Sequence, residues 1–413
     1  MKPLTIIGLL AVCMIMTASV YAGLVYSDSI HFPWNPPLTP TPSHIYNLNT
    51  AMNEFALRLY TRLCAENSDN VFFSPYSIYI ALAMAFEGAN GATAEEMSTV
   101  LGYPKNNETM LSTIHYLWEE YNHNNAFNLS TANALWLRNG FIVLDDYIQK
   151  IMNYFGGNAT ELDFSNPVEA AKVINDWVEL HTNGKIKDLV PAEKITDVTM
   201  LILTNAIYFN ADWQHPFNSS LTADREFYIG PNITIQVPMM HMDASDVLYN
   251  YTETDTLQMI ELPYAGGNVS MLILLPKDSG LAGLEQDLTL EQLNEWKESL
   301  QPKEVYIYLP RFTLETSYTL NDYLKQMGMT DAFSDMADFS GITGYKGLFI
   351  DSVLHKAFIE VNEEGTEAAA ATAIIVTISI KPIFNADHPF LFIIQHRETG
   401  NILFMGKIVN PLE

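Results

Sequence analysis

The stretch from Glu363 to Pro389 constrains this chain more than any other. It reads Glu-Glu-Gly-Thr-Glu-Ala-Ala-Ala-Ala-Thr-Ala-Ile-Ile-Val-Thr-Ile-Ser-Ile-Lys-Pro-Ile-Phe-Asn-Ala-Asp-His-Pro. Two local preferences collide in it. Ala368 to Ala371 taken alone favour a helix, whereas Ile374, Ile375, Val376, Thr377 and Ile378 favour an extended strand. Gly365 reaches backbone angles that other residues avoid, so it can act as a pivot. From Thr366 onward one strand face carries Thr366, Ala368, Ala370, Thr372, Ile374 and Val376, with Glu367 on the other. Small residues on the inward face let a strand enter between two others without overpacking. Such a segment is suited to be an exposed loop in one state and a buried strand in another. A small-residue helix or a permanent central strand is the plainer alternative.

The rest of the chain is large enough to hold the sheet this requires. Of 413 residues, 48% are hydrophobic and 12% aromatic, ample for one large domain or two average ones. The net charge of −27 opposes binding to nucleic acid or to anionic membranes. Cys13 and Cys64 are the two cysteines. Cys13 falls in the apolar leader, so no disulfide framework is expected. His-Glu-x-x-His, zinc-type His/Cys spacing, Gly-x-Gly-x-x-Gly, a phosphate-cradling Gly-Lys-Ser/Thr loop and Gly-x-Ser-x-Gly are all missing from the sequence. No metal or organic cofactor is indicated, and enzymatic activity is not expected.

Met1–Ala22 combines a lysine, an apolar core from Leu4 to Val20 and Val20-Tyr21-Ala22, which is the pattern of a secretory signal peptide cleaved after Ala22. Leu10-Ala11-Val12-Cys13 resembles a lipoprotein box, but Val12 is bulky for that position, which leaves lipid anchoring the lesser alternative. Residues 23–45, with Pro33, Pro36, Pro37, Pro40 and Pro42, read as an extended linker. Residues 46–413 read as the folded domain.

Helices are expected over Thr50–Cys64, Pro75–Phe86, from Thr93, over Asp145–Phe155, Val168–Leu180, Leu288–Leu300 and Leu320–Met327. Strands are expected over Asn128–Leu137, Met200–Phe209, Val305–Leu314 and Ile350–Asn362. Broken strands are expected across Phe227–Tyr251, and a hairpin across Gly266-Gly267. The Asn-x-Ser/Thr sites at Asn107, Asn128, Asn158, Asn218, Asn232, Asn250 and Asn268 are open to glycosylation in an exported eukaryotic protein.

Several segments, in order, resemble the serpin family. They include Phe72-Phe73-Ser74-Pro75-x-Ser77-Ile78, Gly91-Ala92-Thr93, Ile174-Asn175-x-Trp177-Val178 and Gly184-Lys185-Ile186. Further along come Thr204-Asn205-Ala206-Ile207-Tyr208-Phe209, Trp213-x-x-Pro216-Phe217, Val237-Pro238-Met239-Met240 and Leu309-Pro310-Arg311-Phe312. Phe384 to Ile393 and Leu403 to Pro411 resemble the family's C-terminal signatures. The resemblance covers roughly residues 46–413 and implies a mixed α/β serpin fold with three β-sheets, eight or nine helices and an exposed reactive-centre loop. It also implies inhibition of serine proteases by a suicide-substrate mechanism, in which the loop is cut and inserts into the main sheet, a known behaviour of this family.

On that resemblance, Glu363, Glu364, Gly365, Thr366, Glu367, Ala368, Ala369, Ala370 and Ala371 form the hinge. Ser74, Ser77, Asn205 and His355 form a polar cluster beneath the opening sheet, called the shutter. Trp213, Arg311 and Glu363 form the breach where insertion begins, with an Arg311–Glu363 ion pair. The attacked bond falls at Ser379–Ile380, with Val376, Thr377 and Ile378 as alternatives because the segment from Gly365 to Phe384 is short for the family. Lys381 precedes Pro382, which blocks trypsin-like cleavage, so an elastase-like or subtilisin-like target is favoured. The expected protein is a monomer, secreted, without nucleic-acid or stable membrane association. The alternatives are a non-inhibitory serpin with a carrier, storage or chaperone role, and cross-class inhibition of a cysteine protease. Read without the family, Ser74 would be a helix cap, His355 a satisfied core histidine and Trp213 a packing residue.

Overall fold

A computed structural model describes residues 39–102, 107–122, 127–244, 247–277, 280–364 and 381–413. Helix α1 spans Pro42–Glu66 and begins well before Thr50. The Thr41 hydroxyl caps it by accepting from the His44 N–H, and Pro42 sits in the first turn, where its missing N–H costs nothing. Residues 42–45, read with the proline-rich stretch in the sequence, are thus its opening turn.

After the short strand β1 (Val71–Phe73), α2 (Pro75–Phe86) is capped by Ser74 and buried from Pro75 through Ala85, so it runs through the centre of the molecule. Next come α3 (Gly91–Leu101), α4 (Asn107–Asn122), β2 (Asn128–Arg138), α5 (Asp145–Phe155), β3 (Asn158–Leu162) and α6 (Pro167–His181). The strand β4 (Leu201–Asn210) is buried along nearly its whole length, as its apolar run predicts. The segment Phe227–Tyr251 resolves into β5 (Ala223–Gly230), β6 (Ile233–Met242) and β7 (Tyr249–Glu253). The hairpin β8 (Leu257–Pro263) and β9 (Val269–Pro276) turns through Gly266 and Gly267 at φ of 80° and 73°, angles only glycine adopts freely.

Helices α7 (Gly280–Asp287) and α8 (Leu290–Glu298) precede β10 (Gln301–Lys303). The single strand expected over Val305–Leu314 is in fact two, β11 (Tyr306–Pro310) and β12 (Phe312–Thr319), in different sheets. The break falls at Arg311: Pro310 still pairs with Met239 of β6, the Arg311 N–H makes a last bond to the β6 carbonyl of Pro238 at 2.9 Å, and Phe312 already pairs with Val361 of β13. Then follow α9 (Asn321–Gln326), α10 (Ser340–Thr343), β13 (Ser352–Val361), β14 (Ile383–Asn385), β15 (Phe390–His396) and β16 (Ile402–Ile408). The described residues thus hold ten α-helical segments where eight or nine are expected. The helices with no counterpart among those expected from periodicity are α4, α7 and the four-residue α10.

The strands form three sheets, as expected. One runs β1-β16-β15-β9-β8-β7-β10, a second β14-β11-β6-β5 and the third β12-β13-β4-β2-β3. The main core lies between the central helices and these sheets, with Phe55, Phe72, Phe73, Tyr76 and Phe404 fully enclosed. A separate small core of Trp136, Ile174, Val178, Ile202, Ala206 and Leu354 holds α6 against the five-stranded sheet.

Candidate functional site

The five-stranded sheet has an unusual centre. β13 pairs with β12 and β4 with β2, both antiparallel, yet β4 and β13 lie directly side by side and parallel. Their pairing runs from Ser352↔Ile202 to Phe358↔Tyr208 and stops there, although β13 continues on β12 as far as Val361↔Phe312. The seam between β4 and β13 therefore parts at one end. Phe209, Asn210, Ala211, Trp213, Tyr264, Ile359, Glu360 and Val361 line the gap. A segment turning back from the end of β13 would run antiparallel to both neighbours, which is the favourable pairing on each side.

Halfway along the seam, His355 and Asn205 are register partners. His355 Nε2 accepts from the Ser74 N–H at 3.2 Å, so Nδ1 carries the proton and donates to Asn205 Oδ1 at 2.5 Å. The Asn205 amide donates to Ser77 Oγ and Asn133 Oδ1. Ser74 Oγ accepts from the Ser77 N–H at 3.1 Å and donates to the Leu403 carbonyl at 2.7 Å. All four expected residues are buried and lie in one hydrogen-bonded chain from α2 to both seam strands. Complete burial pushes the His355 imidazole down to about 3, against a smaller opposing pull from Asn205. The ring is neutral at ordinary pH. Ser74 is also a helix cap and His355 also a satisfied core histidine, so the plainer descriptions are true of the same atoms.

The open end of the seam is held by Trp213, Arg311 and Glu363. The Arg311 guanidinium forks onto Glu363, with Nε 2.6 Å from Oε2 and Nη2 on Oε1, and Thr222 donates to the same Oε1. Burial works against the Glu363 charge, but the Arg311 and Thr222 hydrogen bonds outweigh it and hold the carboxyl below its usual range. The Trp213 indole N–H donates to the Asn362 carbonyl at 2.9 Å, its backbone N–H reaches the Glu364 carbonyl at 3.2 Å, and its ring stacks on Tyr264 at 4.4 Å. The Phe217 N–H holds the Glu363 carbonyl at 2.8 Å. The chain is thus pinned up to Glu364, immediately before Gly365.

Gly365 to Ala371 of the expected hinge, the expected bond Ser379–Ile380 and its alternatives Val376, Thr377 and Ile378 lie outside the described residues. On the far side the chain is pinned again at Lys381, whose Nζ is 2.5 Å from Glu304 and 2.8 Å from the Ala244 carbonyl. Sequence reasoning missed Asn133, Thr222, Tyr264 and the Leu403 carbonyl. Asn133 left a trace, as a single asparagine on the strand face that carries buried Leu129, Leu135 and Leu137. The other three could not be read locally, because their partners are far away in the chain. Among the described residues no helix is long and apolar enough to cross a membrane.

Comparison with known proteins bears on this geometry. The family model described as Serpin (serine protease inhibitor) matches residues 50–411. An uncharacterised serpin-like protein of Thermococcus kodakarensis is 42% identical over 405 residues, covering 92% of this chain and 93% of that protein. Leukocyte elastase inhibitor of Xenopus laevis is 39% identical over 377 residues, covering 88% of this chain and 100% of that protein. The solved structure of Serpin48 from the insect Tenebrio molitor matches with a TM-score of 0.80 at 34% identity, over 88% of this chain and 98% of that one. A parallel seam opening beside the residue where the chain leaves the sheet, in a three-sheet α/β domain matched over its length by these relatives, places the chain: it belongs to the serpin family.

Proposed function

We propose that this serpin is a secreted inhibitor of serine proteases and that it acts as a suicide substrate. The protease serine attacks the carbonyl of the residue before the scissile bond, the C–N bond breaks, and the new amino terminus departs on the C-terminal fragment. The N-terminal side, still esterified to the protease, enters the seam between β4 and β13 and carries the enzyme along. Its distorted catalytic groups then fail to hydrolyse the ester. The observation that carries this reading is the seam itself, parallel, parted at the end next to Glu363 and continuous with the segment that would fill it.

The family resemblance favours Ser379–Ile380 as the bond, with Val376, Thr377 and Ile378 as alternatives, and the strand lengths allow all of them. β13 is ten residues long. A strand returning from Glu364 and matched to β13 ends near Ile375, so cleavage after Ser379 frees all of it. Each added ladder bond contributes ~0.5–1.5 kcal/mol net, and side-chain burial adds to that. Export rests on the composition of Met1–Ala22, and the monomeric state on the same family reading. The apolar, β-branched residues before Lys381 favour an elastase-like or subtilisin-like target. Incubation with a panel of serine proteases tests the proposal. Adducts that survive boiling in detergent, with a released C-terminal fragment beginning at Ile380, are expected. Turnover without any adduct would refute it.

A further inference from the structure

Resting on that reading, we infer that Asp351 is a positioning residue for insertion: it rivets the closed end of the β4–β13 seam, and the cut segment enters fully only when that rivet parts. Asp351 stands one residue before β13. Its Oδ2 accepts the Met200 N–H at 2.5 Å and the Leu201 N–H at 3.1 Å, and its own N–H donates to the Leu201 carbonyl at 2.8 Å. These bonds tie the entry to β13 directly to the entry to β4. Two further elements brace the same spot. The Asn321 amide at the start of α9 donates to the Asp351 carbonyl at 2.7 Å, and its oxygen accepts the Val353 N–H at 2.9 Å. The Arg138 N–H at the end of β2 donates to the Met200 carbonyl at 2.9 Å, and the Arg138 charge acts on the Asp351 carboxylate.

Register gives this rivet its role. The first pair of the seam is Ser352↔Ile202, so Asp351 and Leu201 stand just outside it, at the end away from Glu363. A segment returning from Glu364 reaches Ser352 near Ile375, which leaves the residues between Ile375 and the attacked bond to pass Asp351. Neighbouring strands lie ~4.8 Å apart, so a strand seated between β4 and β13 moves Ser352 about 5 Å further from Ile202. The Asp351 hydrogen bonds, at 2.5 to 3.1 Å, do not stretch over that added distance. Until they break, the last part of the segment stays out. The acceptor matters here more than the charge. Burial raises the Asp351 carboxyl above its usual range, against the Met200 and Leu201 hydrogen bonds and the pull of Arg138. The charge is thus held at a cost, whereas removing the side chain takes an acceptor from two backbone N–H groups.

The test uses the full-length protein and compares wild type with Asp351→Ala and Asp351→Asn. Each is unfolded in guanidinium chloride, both uncut and after limited digestion between Val376 and Ile380. In the uncut protein Asp351→Ala should lower the midpoint by about 0.5 M. In the clipped protein, where the rivet is already parted, the same variant should fall within about 0.1 M of wild type. Asp351→Asn keeps an acceptor and should stay close to wild type in both forms. Equal losses before and after clipping would make Asp351 an ordinary structural residue and overturn the inference, as would an uncut Asp351→Ala as stable as wild type. If Asp351→Ala does not fold, Asp351→Ser, with a shorter acceptor, is compared in the same way. A wild-type midpoint that does not rise on clipping would overturn the inhibitory reading, and this inference with it.

Discussion

His355 and Asn205 face each other across the parallel seam of the five-stranded sheet, with Nδ1 2.5 Å from Oδ1. The imidazole is neutral because burial removes the water that would solvate its charge. Its value near 3 lies well below the ordinary 6.5. Between these two values the unfolded chain binds a proton that the folded chain refuses. The contribution of His355 to stability is therefore complete above about pH 6.5 and is lost as pH falls toward 3. Its full size is on the order of 4 kcal/mol. Urea unfolding of wild type should show stability declining from pH 6.5 to 4, and His355→Gln should flatten that decline. Equal slopes for the two proteins would show that this ring does not govern acid sensitivity.

At the open end of the seam, Arg311→Ala leaves the Glu363 carboxylate buried without its main partner. The Glu363 side chain is 5% exposed and that of Arg311 43%, so the loss is expected below the full cost of breaking a buried pair, at about 2 kcal/mol. Urea midpoints for Arg311→Ala, Glu363→Ala and the double variant should show that the second change costs much less once the first is made. Simple additivity would mean the pair contributes nothing.

Thr366→Arg puts a long cation into the segment that, on the proposed mechanism, inserts between β4 and β13. Overpacking of ~1–3 kcal/mol or more slows insertion, and deacylation then wins. The variant should be cut by the protease at a normal rate and form little adduct. A detergent-stable adduct in wild-type yield would exclude insertion as the trapping step.

Clipping the wild-type chain between Val376 and Ile380 should raise its melting temperature by tens of degrees, since insertion fills the seam with a hydrogen-bonded strand. Calorimetry before and after limited digestion measures this. An unchanged transition would mean that the uncut fold stores no releasable energy.

Gly406 allows β16 to approach β1. A Cβ there would lie 2.4 Å from the Val71 carbonyl oxygen and 2.9 Å from the Phe392 ring. Gly406→Ala should cost about 1–3 kcal/mol because a backbone atom, unlike a side-chain tip, cannot swing aside. Denaturant unfolding checks it, and a variant as stable as wild type would mean the β1–β16 pair can open freely.

Much of this architecture is legible in one dimension. The apolar run of β4, the Ser74-Pro75 start of α2 and the double-glycine turn of the β8–β9 hairpin are local patterns, and each produces the element it announces. Helix α4 was legible too. Met110, Leu111, Ile114, Leu117 and Tyr121 form a buried helical stripe that the sequence reading did not use. The Arg311–Glu363 pair was reached through family resemblance, since 52 residues separate the two.

What the sequence determined by itself was the period and punctuation of its elements, the acidic surface and a segment between Glu363 and Pro389 with opposed helix and strand preferences. Only the tertiary structure decided that Val305–Leu314 divides between two sheets, that β4 and β13 meet in parallel, and that Asn133 and Leu403 complete the polar chain around His355. The reason is physical. Local preferences depend on neighbours a few residues away. A parallel pairing or a buried hydrogen bond depends on which distant strand packs alongside, and that is settled by burying the whole core at once.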